Sequence, residues 1–181
     1  MTTSIREAQS RFYHRYLAAA RAITGGLPVA EVDPEAASPC MVGDADERGM
    51  AAWQPVLRSA EGDVSALQHA LGAALHPDTR AWLARWYSLP IEATWGEETV
   101  VLLGAANDVE LARFIEAAAR FATEQRRVGA AEVPVGVLHD GRRVTVENRS
   151  GAVHLEEPDG GLALIAPNLE AFLDALVPLP L

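Results

Sequence analysis

Residues 133–166, "VPVGVLHDGRRVTVENRSGAVHLEEPDGGLALIA", decide how this chain is read. Apolar residues recur through "VPVGVLH" (133–139) and again through "RRVTVEN" (142–148), with Asp140-Gly141 between them. Asp-Gly flanked by alternating apolar runs is a strong hairpin signal, because both residues tolerate the positive φ that a two-residue turn demands. A second turn at Ser150-Gly151 leads into "AVHLEE" (152–157), and "GLALIA" (161–166) follows. The stretch therefore reads as an antiparallel meander.

The flanking segments extend the pattern. "LPIEATW" (89–95), a turn at Gly96-Glu97-Glu98 and "TVVLLGA" (99–105) read as two more antiparallel strands. Asn107 then caps a helix with Leu111, Phe114, Ile115, Ala118 and Ala122 facing inward. "NLEAFLDALV" (168–177) is a closing helix with Leu169, Phe172, Leu173 and Leu176 on one face. At the other end, Ile5, Phe12, Tyr16, Ala19 and Ile23 recur at helical spacing and Gly25-Gly26 supplies a stop, which predicts a helix over 4–23. Its outer face is basic, through Arg6, Arg11, Arg15 and Arg21.

Beyond the loop "EVDPEAASP", the stretch "SPCMVGDADERGMAAWQPV" (38–56) reads as a hairpin with a polar turn at Gly43 to Gly49. Asp63 is placed to cap a helix over 64–75, which His76-Pro77 interrupts, and a further short helix, "PDTRAWLARWY", starts at that proline. Trp82, Trp86 and Tyr87 then lie at helical spacing as core or rim aromatics. Hairpins interleaved with helices, without regular strand-helix-strand repeats, give an α+β fold: one domain over 1–181, a mainly antiparallel sheet covered by helices.

Composition bounds the function. Hydrophobic residues make up 49% of the 181, enough for a sizeable core. The formal charge is -10, with 25 acids against 15 bases, all of them arginine. That balance disfavours a nucleic-acid backbone or an anionic lipid surface as direct partner and favours a basic one. The single cysteine, Cys40, asks for no oxidising compartment, and the charged first twenty residues lack the apolar core of a signal peptide, so a cytoplasmic location is expected. No run of 18 apolar residues occurs, so any membrane association is peripheral.

The chemical motifs fail one by one. Asp44, Asp46 and Gly49 begin like a calcium loop, but Arg48 stands where an oxygen ligand belongs and Pro55 where the bidentate glutamate should be. Cys40 sits between Pro39 and Met41-Val42, a setting for a small buried hydrophobe and not for a thiolate. The five histidines form no metal-type pair, Ser150 lacks a nucleophile elbow, and no glycine loop cradles phosphate. Glu97-Glu98 and Glu156-Glu157 are neighbours that alternate faces on a strand. No catalytic residue, metal ligand or cofactor is called for.

What remains is where the charge falls. Between Glu31 and Asp63 lie eight acids and only Arg48 and Arg58; between Trp86 and Ala112 lie five acids and no base, and after Gly151 the same. The partner-binding candidates read from this charge are Asp44, Asp46, Glu47, Glu92, Glu97, Glu98, Glu156 and Glu157, which would steer a basic partner if the fold brings them to one side.

Several phrases, taken in order, carry a resemblance: "SPCMV", "WQPV", "LHPDTRAW", the Gly96 turn after "ATW", "TEQRR", "ENRSGAV" and "IAPNLEAFLDAL". Together they resemble the Syd family, the SecY-interacting proteins of bacteria, over essentially the whole chain; their order and spacing are specific where no single phrase is. The resemblance implies a non-enzymatic α+β protein that docks through an acidic concave surface on SecY, peripherally on the cytoplasmic side of the inner membrane. The wider SUKH superfamily, to which that family is similar, adds an alternative partner, a bacterial toxin neutralised by an immunity protein. Pro39, Cys40, Trp53, Gln54, Pro55, Asn148, Ser150, Gly151, Asn168 and Leu169 match the family pattern, most of them as fold-setting positions. Cytoplasmic loops of membrane proteins are rich in Lys and Arg, which suits an acidic ligand, while anionic lipid would repel it.

Overall fold

The computed structural model describes residues 4–33, 35–126 and 131–180. Pro34 of the "EVDPEAASP" loop, Gly129 before the meander, and the outermost ends of the 1–181 span lie outside the described residues.

The meander forms as its sequence dictates. Strands β8 (Glu132–Leu138), β9 (Arg143–Glu147), β10 (Val153–Glu156) and β11 (Leu162–Ala166) pair antiparallel in sequence order. The Gly96 hairpin, β6 (Ile91–Trp95) with β7 (Glu98–Leu102), joins the other side of β8, and Glu98 stands in the strand opposite Trp95. A short strand, β12 (Val177–Pro178), completes a seven-stranded sheet in the order β11-β10-β9-β8-β7-β6-β12. Two smaller sheets accompany it: β1 (Val29–Glu31), β3 (Met50–Trp53) and β2 (Met41–Val42) in one, β4 (Val56–Leu57) with β5 (Trp86–Tyr87) in the other. The fold is α+β with a mainly antiparallel sheet.

Helices α1 (Ile5–Thr24), α2 (Ser65–Leu71), α3 (Pro77–Ala84), α4 (Asp108–Arg126) and α5 (Leu169–Ala175) pack on this framework. One contiguous core joins Phe12 of α1, Trp82 of α3, Ile115 of α4 and Phe172 of α5 to the strand residues Val100, Val133, Val144 and Val153. Asn107 caps α4 by accepting the Glu110 N–H at 2.9 Å, and Glu110 reaches back to the Ala106 N–H at 2.8 Å. Asn168 caps α5 through the Ala171 N–H at 2.8 Å.

Four expectations are corrected. The helix after Asp63 ends at Leu71, not 75, because Gly72 takes the left-handed conformation (φ 66) and closes it. The Asp63 side chain does accept the Ser65 N–H at 2.8 Å. Helix α3 stops at Ala84, and Trp86-Tyr87 pairs as a strand with Val56-Leu57, tertiary pairing overriding helical spacing. Ile23 is 69% exposed, and Ala20 carries the last buried contact of α1 instead. Finally, Arg11 and Arg15 do not form an outer basic face. Arg11 grips Asp174 at 2.7 and 3.0 Å, and Arg15 donates to the terminal carbonyls of α5, including Leu176 at 3.0 Å. A cation at a helix C-terminus satisfies orphan acceptors and the dipole together.

The family-pattern positions 148 and 151 sit together on one junction. Buried Asn148 accepts the His76 N–H at 2.8 Å and donates to the Ala74 carbonyl at 3.0 Å, fixing the chain that enters α3. Gly151 (φ 78) lies so close to the His76 ring that a Cβ would come within 2.6 Å. Replacing Asn148 by Ala removes both bonds, to the part-buried His76 N–H and to the Ala74 carbonyl, and is expected to cost about 1–2 kcal/mol. Urea denaturation checks this; an unchanged midpoint would show that the junction is not held by this side chain.

Candidate functional site: an acidic ridge between two hollows

Arg58 follows β4, and its guanidinium is almost wholly inside the protein, with the side chain 2% exposed. It sits over the Tyr87 ring, 3.7 Å from the centroid, and ion-pairs with Asp108 at the start of α4. The Tyr87 hydroxyl meets the same carboxylate at 3.2 and 3.3 Å. Asp108 is nevertheless 76% exposed at its side chain. A buried cation and a phenol thus hold a surface carboxylate in one position, and the ridge they form is rigid where an unpaired surface acid would swing.

A hollow opens on each side. The first, about 470 Å³, is bounded by Arg58, Glu61, Asp63, Tyr87, Asp108 and Glu116 among others. The second, of similar volume, is bounded by Asp33, Glu35, Tyr87, Asp108, Glu110 and Arg113 among others. Seven different carboxylates line the two hollows against two guanidiniums, one of them the inward Arg58, while Glu61 is also paired from outside the lining by Arg80 at 2.9 Å. The Ser65 backbone N–H holds the Asp63 carboxyl below its usual range. Clustered carboxylates with low-dielectric walls focus a negative field.

The acids singled out from sequence charge fall in two other places. Glu97, Glu98, Glu156 and Glu157 come to one end of the large sheet, because the β6–β7, β8–β9 and β10–β11 turns all lie there. Glu98 is ion-paired to Arg142 at 2.8 Å and Glu156 to Arg143 at 3.0 Å; Glu92 faces His139 at 3.6 Å. Asp140 joins this end, its carboxyl held low by the Arg142 backbone N–H and guanidinium. Asp44, Asp46 and Glu47 lie on the β2–β3 turn, in the small sheet tethered by the Ser38 hydroxyl to the Ala106 carbonyl, beyond the opposite end of β7. Asp46 accepts the Arg48 and Met50 N–H groups at 2.8 and 2.9 Å, so its carboxylate builds the turn.

The ridge was not named from sequence. Its signal lay in the same charge counts, since Asp33, Glu35, Glu61 and Asp63 belong to the first acidic interval and Asp108 and Glu110 to the second. Among the family-pattern residues, Cys40, Trp53, Pro55, Asn148, Gly151 and Leu169 are buried, and Pro39 and Ser150 are exposed. Gln54 is half-buried and its N–H pairs with the Cys40 carbonyl at 3.0 Å. Burial pushes the Cys40 thiol up from its ordinary value, away from thiolate chemistry. Glu132 and Thr145 form a further buried pair at 2.6 Å, with His154 3.1 Å from the carboxylate; no sequence pattern marked it.

An antiparallel sheet with helices packed on it and acid-rimmed hollows beside α4 is the frame of a protein that presents a negative surface. The family follows from comparison. A model of the family described as Syd protein (SUKH-2) matches residues 6–178. The chain is 33% identical over 148 residues to Protein Syd of Shewanella denitrificans, covering 78% of this chain and 67% of that one. It is 31% identical over 160 residues to Protein Syd of Aeromonas salmonicida, with 86% of each covered, and 29% over 170 residues to that of Psychromonas ingrahamii, with 92% of each covered. The chain belongs to the Syd family. Among the described residues no helix is long and apolar enough to cross a membrane.

Proposed function

We propose that this protein is a non-enzymatic docking factor that binds basic cytoplasmic loops of SecY, and that it sits peripherally on the cytoplasmic side of the inner membrane by that contact alone. The observation that carries the reading is the Asp108–Tyr87 ridge between two hollows rimmed by seven carboxylates. Loop lysines and arginines find there a fixed central acid and a surrounding negative field, which raises the association rate and selects for cationic segments. The acids at the sheet end form a second patch, partly neutralised by Arg142 and Arg143, that adds long-range attraction. Family membership supports the choice of SecY over other basic surfaces, and nothing observed favours a toxin as partner.

Co-sedimentation with lipid vesicles tests this. Vesicles carrying SecY should retain the protein and release it as salt rises, since surface charges more than about 10 Å apart are screened at 0.1 M. Vesicles of the same lipid without SecY should retain none, because anionic headgroups repel the chain. Equal retention by both would refute the reading.

A further inference from the structure

The outer face of helix α4 runs on from the acidic ridge and shares Glu116 and Arg113 with its two hollows. Leu111, Ile115, Ala118 and Ala122 point inward, and opposite them runs an exposed stripe of Arg113, Glu116, Ala117, Arg120 and Glu124. Glu116 and Arg120 are four residues apart, as are Arg120 and Glu124, a spacing that ordinarily closes ion pairs along one helix. Among the described residues none of these four charged side chains makes an ion pair or hydrogen bond. Beside the stripe, half-buried Phe114 and Phe121 line a hollow of about 430 Å³ between α4 and the sheet, walled by Leu103, Pro134 and Val137.

We propose that this stripe is a two-fold interface between two copies of this chain, α4 packing antiparallel against its own equivalent. The sequence order of the stripe is its own complement. With two copies antiparallel, Arg113 faces Glu124 of the second copy and Glu116 faces Arg120; the midpoints of both pairs fall between residues 117 and 119. Each pair occurs twice about the axis, as an isologous contact requires. Ala117, exposed on the stripe at the crossing, lets the backbones approach. Elsewhere a chain of formal charge -10 repels its own copy; here the signs alternate, so a second copy of α4 meets balanced charge, which neither a purely basic nor a purely acidic partner would. A helix of 19 residues offers a seam about 28 Å long, so the contact is of the small, reversible class.

Sedimentation velocity of the purified full chain over a concentration series tests the proposal without any partner. The parent should pass from monomer to dimer as concentration rises. R120E sets like charges opposite twice over and should move the midpoint at least about tenfold upward. The double swap E116R with R120E restores opposite signs across the axis and should bring the midpoint back. Circular dichroism confirms that each variant is folded, which these exposed positions permit. A parent that stays monomeric throughout, an R120E variant that dimerises like the parent, or a folded double swap that stays monomeric would each overturn the proposal.

Discussion

Arg58→Ala should destabilise the protein by roughly 2–4 kcal/mol, because truncation removes a desolvated cation–π contact, a charge-assisted hydrogen bond and the packing of the stem at once. The guanidinium stacks on Tyr87 at 3.7 Å, reaches the Trp86 carbonyl at 3.4 Å and pairs with Asp108. It also fills the space against Gly62, where a Cβ would lie 3.4 Å from Nη1 and 2.3 Å from a Leu111 methyl. Arg58→Met keeps much of the stem volume and releases only the charge, so it should cost less than Ala while freeing Asp108 to move. Urea unfolding of the two variants separates packing from pairing. A loss under about 0.5 kcal/mol for Arg58→Ala, the range of an ordinary surface substitution, would mean the ridge is not built on this side chain.

Phe172→Ala should cost about 3–5 kcal/mol, the usual toll for emptying a large aromatic site in a packed core. Phe172 is fully buried and lies in the same core as Phe12, Leu169 and Leu176. Its effect differs in kind from that of Arg58. Helix α5 is pinned from outside by Arg11 on Asp174 and by Arg15 on its terminal carbonyls, so the surviving folded molecules should keep α5 in place and keep the ridge intact. Thermal unfolding with binding measured below the transition would show this. Lost binding in the folded fraction would contradict the separation of core from site.

Local chemistry made the meander legible: Asp140-Gly141 and alternating residues need no distant partner to declare a hairpin, and Asn107 announces its helix by side-chain capping. What sequence could not show was set by distant contacts. Trp86-Tyr87 continue a helical spacing, yet become a strand because Val56-Leu57 lies alongside. Arg11 and Arg15 look solvated until α5, more than 150 residues later, arrives to receive them. The ridge draws on three segments, around Arg58, Tyr87 and Asp108, and only folding joins them; charge counting found the acidic intervals but had no means of assembling them into hollows.

The central claim is that the rim of the two hollows is where the basic partner docks. Asp33→Lys with Glu35→Lys reverses that rim on an exposed loop, and Glu97→Lys with Glu98→Lys reverses the sheet end, where Arg142 already neutralises Glu98. Association rates of both folded variants with SecY-bearing vesicles at low salt decide between the surfaces. The account predicts a fall of about tenfold or more for the rim variant and a smaller one for the sheet-end variant. A rim variant that associates as fast as the parent, with the sheet-end variant slowed instead, would contradict it.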